Sequence, residues 1–271
     1  SGFALNITGL KGGHSGMDII LGRGNANKII FRLFKALEKL GMRISEINGG
    51  SLRNAIPREA FSTITIPTSN VAEAKKIVET LGNEIKNEIS IVDPNFSISF
   101  EPTSLPANVM DLDTQKKLVC AIYACPNGVM RMSDSMEGLT ETSTNLAIVK
   151  STDKNIEISA LLRSSVDSAK MDLAEMMASV FELAGAKCNF DGAYPGWKPN
   201  MKSPILETMQ STYKKLFGKN PAIMAIHAGL ECGLLGGVYP SWDMISFGPT
   251  IQSPHSPDER VNIASVKLFW E

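Results

Sequence analysis

The stretch "FALNITGLKGGHSGMDIILGRGNANKIIFRLFKALEKLG", residues 3–41, contains a strand pattern, a glycine-rich turn and a helix pattern in succession. Residues 3–10 alternate apolar and polar side chains, the period of a half-buried strand. Residues 24–41 place Ile29, Ile30, Leu33, Phe34, Leu37 and Leu40 on one helical face, and Gly41 closes the helix. Between them, Gly13 and Gly16 frame His14, one of three histidines in the chain. A histidine on a glycine-framed turn is badly placed for core packing and well placed to reach something outside its own domain.

Outward from this stretch the pattern continues. "MRISEINGG" and "REAFSTITIP" read as strands. Residues 70–89 read as a helix with Asn70 as its cap, carrying Val71, Ala74, Ile77, Val78, Leu81 and Ile85 on one face. "FSISFEP" is a fourth strand. Strand, helix, strand, strand, helix, strand is the split βαβ, ferredoxin-like order.

The next ninety residues partly repeat it: a helix at 113–125, a strand at 129–133, a hairpin joining "TNLAIVKST" to "NIEISALLRSS", a helix at 169–185 and a closing strand "AKCNFDGAY". "DGAYPGWKPNMKSP", residues 191–204, reads as a domain boundary. Beyond it come a helix at 203–217, the stretch "AIMAIHAGLECGLLGG", the strand-like "WDMISFGP", the loop "SPHSPDERVNI" and a final helix start, "ASVKLFWE". One glycine-rich turn with so few elements encloses no core alone, so this tail reads as the second half of an α/β domain. The chain opens Ser-Gly-Phe without an initiator Met, and is expected to be an internal piece of a longer protein.

Composition bounds the function. A chain of 271 residues with 43% hydrophobic and 20% charged residues is long enough for two soluble globular domains. Its apolar runs stop well short of the roughly 18 residues of a spanning helix. A net charge of −1 argues against a nucleic-acid partner. Cys120, Cys125, Cys188 and Cys232 are scattered without a CxxC pair, the pattern of reduced thiols in a cytoplasmic protein.

Three segments could carry chemistry. In "SPHSPDERVNI" two prolines flank His255; it reads as an exposed loop histidine or as a metal ligand at the carboxyl end of a sheet. "HAGLECG", with His227 and Gly229, reads as a turn with Glu231 capping or ion-paired, or as a glycine loop whose N–H groups hold an anion. Strand-end arginines are usually solvated; Arg163, beside Leu161 and Leu162, is the better candidate for a fork that grips a carboxylate.

Taken together, "GLKGGHSGMDIILGRGNANKI", "GGSLRNAIPREA", "ETSTNLAIV", "HAGLECG" and "SPHSPDERVNI" resemble the M20 metallopeptidases, in particular the aminoacyl-histidine dipeptidase branch. The segments keep family order from one end of the chain to the other. The resemblance implies an α/β fold with an α+β lid: a doubled ferredoxin-like lid and dimerisation domain at residues 1–193, in halves of about 1–102 and 103–193, then the C-terminal portion of the catalytic domain at 194–271. It implies two zinc ions per active site, of whose ligands only His255 has a counterpart here. The other ligands and the general base belong to the N-terminal half of the catalytic domain, which this sequence lacks, so the 271 residues alone are expected to be inactive.

By the same resemblance His14 stabilises the tetrahedral intermediate, in dimers within the partner's site, and Asn54 assists it. Arg163 holds the C-terminal carboxylate of the dipeptide, with His227 and Gly229 around it. The implied parent is a cytoplasmic, homodimeric dipeptidase cleaving Xaa-His and related dipeptides. The rival readings are another M20 amidohydrolase, a tripeptidase or deacylase, or a catalytically silent dimerisation module.

Overall fold

The computed structural model describes residues 1–225, 227, 230–252 and 259–271. They form two compact units, Ser1–Pro199 with the described part of Ala225–Gly229, and Asn200–Met224 with Leu230–Glu271.

The first unit begins as the sequence pattern predicts. β1 (Gly2–Thr8), α1 (Ala26–Leu37), β3 (Arg43–Gly49), β5 (Ala60–Thr65), α2 (Val71–Ile89) and β6 (Ser97–Thr103) follow in order, with two-residue strands β2 (Gly13–His14) and β4 (Ala55–Ile56) in the connecting loops. The four long strands lie antiparallel in the spatial order β6-β1-β5-β3, which is fourth, first, third, second, the ferredoxin-like arrangement. Every apolar residue of the expected α1 face is buried. Phe31 is buried as well, because α3 (Leu112–Ala124) covers a second side of α1. Lys28 ties the two helices, its Nζ donating to the carbonyls of Ile122, Tyr123 and Cys125 at 2.7–2.9 Å, where the end of α3 leaves acceptors without helical partners. Asn70 does not cap α2: its amide donates instead to Leu40 O at 3.0 Å.

The second half adds β7 (Gly128–Met132), β8 (Thr140–Ser151), β9 (Ile156–Ser164) and α4 (Asp167–Leu183), and all seven long strands share one sheet. β9 pairs along one edge of β8; the other edge is shared by β7 at one end and β3 at the other. The stretch of β8 between these partners, around Leu146 and Ala147, is served by side-chain amides. Asn25 Nδ2 donates to Leu146 O at 3.0 Å, Asn27 Nδ2 reaches the carbonyls of Leu146 and Ala147 at 3.3 Å, and Asn127 Oδ1 accepts from Leu146 N–H at 2.9 Å. Buried backbone groups need such partners wherever a ladder is interrupted.

Two expected strands are absent. Residues 186–194 form none: Gly185, at φ +80°, closes α4, and Ala186 N–H bonds back to Phe181 O, so the chain is tied to the helix end instead of to an edge of β9. Asp191 then pairs with Arg53 at 2.7 Å and Tyr194 O accepts from Lys170 Nζ. Residues 242–249 in the second unit are also not a strand; Trp242 stacks on Tyr239 at 4.3 Å, and Asp243 accepts from Ile205 N–H at 2.8 Å. That unit holds α5 (Pro204–Phe217), α6 (Leu230–Val238), α7 (Ile263–Trp270) and the short pair β10 (Ile251–Gln252) and β11 (Arg260–Val261). No described helix is long and apolar enough to cross a membrane.

Gly50 sits where the two halves of the sheet meet. Its φ is +72°, and a Cβ there would overlap the carbonyl oxygen of Ala147 in β8. Left-handed strain and a backbone clash act together, so Gly50→Ala is expected to cost about 2–4 kcal/mol in urea unfolding. A change below about 0.5 kcal/mol, the range of an ordinary surface substitution, would show that the junction is loosely packed.

Candidate active site

The turn carrying His14 is pinned from several sides. β2 pairs with β4, opposing His14 to Ala55, and Ser15 N–H donates to Asn54 O at 2.8 Å. Inside the turn, His14 N–H donates to Asp18 Oδ2 at 2.8 Å, and Asp18 also faces Arg23 at 3.6 Å. The imidazole itself is fixed by backbone: Gly16 N–H and Met17 N–H both donate to His14 Nδ1, each at 3.2 Å. Two donors on one ring nitrogen leave the proton of the neutral ring on Nε2. The turn therefore makes His14 a hydrogen-bond donor at Nε2.

Arg163 approaches from the sheet. It lies on β9 directly opposite Ser143 of β8, and its Nε donates to Ser15 Oγ at 3.4 Å. A Cβ on residue 16 would stand 3.0 Å from His14 Cε1 and 3.4 Å from Arg163 Cζ, so the imidazole and the guanidinium both flank Gly16, the imidazole the more tightly. Burial lowers the pKa of the guanidinium while a hydrogen bond with Tyr194 raises it, and an arginine stays charged through such shifts.

His227 completes the cluster. It is buried, its Nε2 lies 2.9 Å from Ser143 Oγ, and its pKa falls to about 4, first through burial and then through the nearby charge of Arg163, with His14 adding to it when that ring is protonated. At neutral pH it is an uncharged imidazole bonded to a serine.

Asn145, two residues along β8, donates to Ala55 O at 2.7 Å and Arg53 O at 3.4 Å, gripping both sides of Asn54. Asn54 is held there by its backbone, with its residue surface exposed. From Arg163 and His227 a groove of about 470 Å³ runs past Ile158, Ala160, Met177 and Tyr194.

Of the sequence-predicted residues, then, His14, Arg163 and His227 come together and Asn54 stands beside them. Gly229 and His255 lie outside the described residues. Ser143, Asn145 and Tyr194 were not singled out by sequence reasoning. The signal for the first two was the run "ETSTN" opening a strand: Glu141 to Asn145 are all buried, and five consecutive polar residues do not belong in an ordinary sheet core. Among the described residues no three His, Cys, Asp or Glu side chains stand close enough to hold a metal.

A glycine-turn histidine and a strand-borne arginine stand on a ferredoxin-like sheet, and residues 6–92 of that sheet and its helices match the M20 peptidase dimerisation domain. Two relatives are more specific. Over 269 residues, 99% of this chain, it is 45% identical to the cytosol non-specific dipeptidase of Escherichia coli (strain K12). It superposes on the crystal structure of the aminoacylhistidine dipeptidase from Vibrio alginolyticus with a TM-score of 0.93, at 46% identity over 99% of the chain. The chain spans 56% and 55% of the lengths of these two proteins.

The depressed pKa of His227 has a consequence for stability. Above pH 6.5 the imidazole is neutral in both the folded and the unfolded chain. Between 6.5 and about 4 only the unfolded chain takes the proton, so stability is lost across that window. Acidification from pH 7 to pH 4 should therefore destabilise the native chain by about 2–3 kcal/mol more than a His227→Gln variant, measured by urea unfolding at both pH values. Equal losses would mean that His227 is not buried as a neutral ring.

Proposed function

We propose that this chain is the lid, residues 1–193, and the C-terminal catalytic portion, 194–271, of a cytoplasmic dipeptidase that hydrolyses Xaa-His and related dipeptides. The observation that carries this reading is the convergence of His14 and Arg163 on one another around Gly16. A fixed cation and a fixed neutral donor side by side match the two anionic groups of a dipeptide in the act of cleavage, its carboxylate and its oxyanion. Arg163 pairs with the C-terminal carboxylate, which is present throughout. His14 Nε2–H meets the oxygen on which charge develops when the scissile carbonyl becomes tetrahedral, and a preorganised donor at that atom stabilises the transition state more than the ground state. Asn54 assists at the same oxygen, and His227 and Gly229 shape the surroundings of the carboxylate.

Zinc, with His255 as one ligand, belongs to the proposal through the resemblance of the "SPHSPDERV" segment. A homodimer formed through the lid is supported by the match to a peptidase dimerisation domain. The names and lengths of the two dipeptidases support the substrate class and the reading that the remaining ligands lie in further sequence.

In the intact peptidase, Arg163→Met should reduce kcat/KM on free dipeptides by on the order of 2–5 kcal/mol, the loss expected when one partner of a desolvated charge pair is removed. C-terminally amidated dipeptides should be poor substrates for the native enzyme and should lose little more in the variant. Equal losses on both substrates would assign Arg163 a structural role only.

Because His14 and Arg163 meet within one chain, they act as a pair on one substrate molecule. Mixing subunits of His14→Ala with subunits of Arg163→Met should then restore no activity, since either lid is defective. If the two residues served different subunits, each mixed dimer would hold one whole site, and statistical mixing would return up to about a quarter of native activity. Such recovery, with subunit exchange verified by mass spectrometry, would separate the pair.

A further inference from the structure

Asp93 lies beyond the end of α2 and belongs to no motif. Its residue surface is completely buried, which is costly for a carboxylate unless its oxygens are satisfied. Both are. Oδ1 accepts from Lys11 N–H and Oδ2 from Gly24 N–H, each at 2.7 Å, the short length of charge-assisted bonds. These two amides stand at the two stems of the loop that carries His14. One carboxylate thus bridges the point where the chain leaves β1 for the loop and the point where it returns to α1.

Asp93 is itself held. Its N–H donates to Ile89 O at 2.8 Å, and its carbonyl accepts from Phe96 N–H at 3.1 Å. The Gly24 stem is packed closely by Leu10, Ile29 and Ile89: a Cβ on Gly24 would come within 2.8–3.2 Å of a methyl of each. The brace inside the loop, Asp18 with His14 N–H and Arg23, fixes the shape of the turn; the brace outside it fixes where that turn is placed. None of the hydrogen bonds of Asp93 goes to His14, Arg163 or His227.

We infer that Asp93 is a positioning residue for His14: by clamping both stems of the 11–24 loop it sets the place at which the imidazole meets Arg163. The inference rests on His14 acting as the oxyanion donor. A donor displaced by about 1 Å forfeits on the order of a hundredfold in rate, which sets the scale of the effect.

Asp93→Asn is the informative variant, because it keeps one acceptor and turns an amide N–H₂ toward the other stem. In the 271-residue chain, amide hydrogen exchange at Ser15 and Asp18 should accelerate about tenfold or more, while protected amides of α1 and β1 keep their native rates. Unchanged loop exchange would overturn the proposal, and so would equal loss of protection in α1, which would make Asp93 a residue of the fold at large. In the intact peptidase, Asp93→Asn should lower kcat by about 10- to 100-fold with KM little changed, and should cost almost nothing more in a His14→Ala background. Additive losses would show that Asp93 does not act through His14. If His14→Ala alone left kcat unchanged, the oxyanion reading of His14 would fail, whereas the exchange data would still decide whether Asp93 places the loop.

Discussion

The structure depends on what is done with the part of β8 that has no strand on one side. β3 covers one end of that edge and β7 the other, and between them the carbonyls of Leu146 and Ala147 face the beginning of α1. Asn25 and Asn27 satisfy them with side-chain amides, and Asn25 at the same time caps α1 by accepting from Lys28 N–H at 3.2 Å. Left without partners, buried carbonyls would each cost on the order of 1–3 kcal/mol. The two halves of the sheet are therefore joined by the residues that end the His14 loop. Gly49 and Gly50 complete the junction, because side chains at either position would run into Asn27 or Ala147.

From that junction the site follows. Ser143 and Arg163 oppose one another across β8 and β9, and a slip of one residue would turn Arg163 to the other face of the sheet. Asn145 reaches over to hold the Arg53–Ala55 turn, which in turn receives Ser15 N–H and pairs with His14. The His14 turn is thus placed by backbone contacts, while Arg163 and His227 are held by the hydroxyls of Ser15 and Ser143. The chemistry is equally determined: Arg163 keeps its charge, His227 is kept neutral by burial and by its cationic neighbour, and the amides of Gly16 and Met17 choose the tautomer of His14.

Much of this was legible in the sequence. The alternation in residues 3–10 and the single apolar face of residues 24–41 gave β1 and α1, and the same two periods marked β3, β5, α2 and β6. Glycines around His14 marked a turn, and Leu161 and Leu162 beside Arg163 set it apart from the other strand-end arginine. What escaped was nonlocal. "AKCNFDGAY" alternates like a strand, but its backbone is taken by the end of α4. The amide of Asn70 finds Leu40 across the fold instead of its own helix. Asp93 looks like a solvated loop aspartate until the stems of the 11–24 loop arrive from 69 and 82 residues away. The buried run Glu141–Asn145 showed its polarity in the sequence, but its partners on other segments could only be seen once the chain was folded.

The account turns on His14 being presented as a donor by its own turn. Long-range ¹H–¹⁵N NMR of the imidazole in the 271-residue chain, above the pH at which the ring is protonated, tests this directly. The account predicts an unprotonated Nδ1 that accepts from the Gly16 and Met17 amides and a proton on Nε2, with the pattern lost when Gly16 is replaced by proline. A ring protonated at Nδ1, or one averaging between tautomers as a free imidazole does, would contradict it.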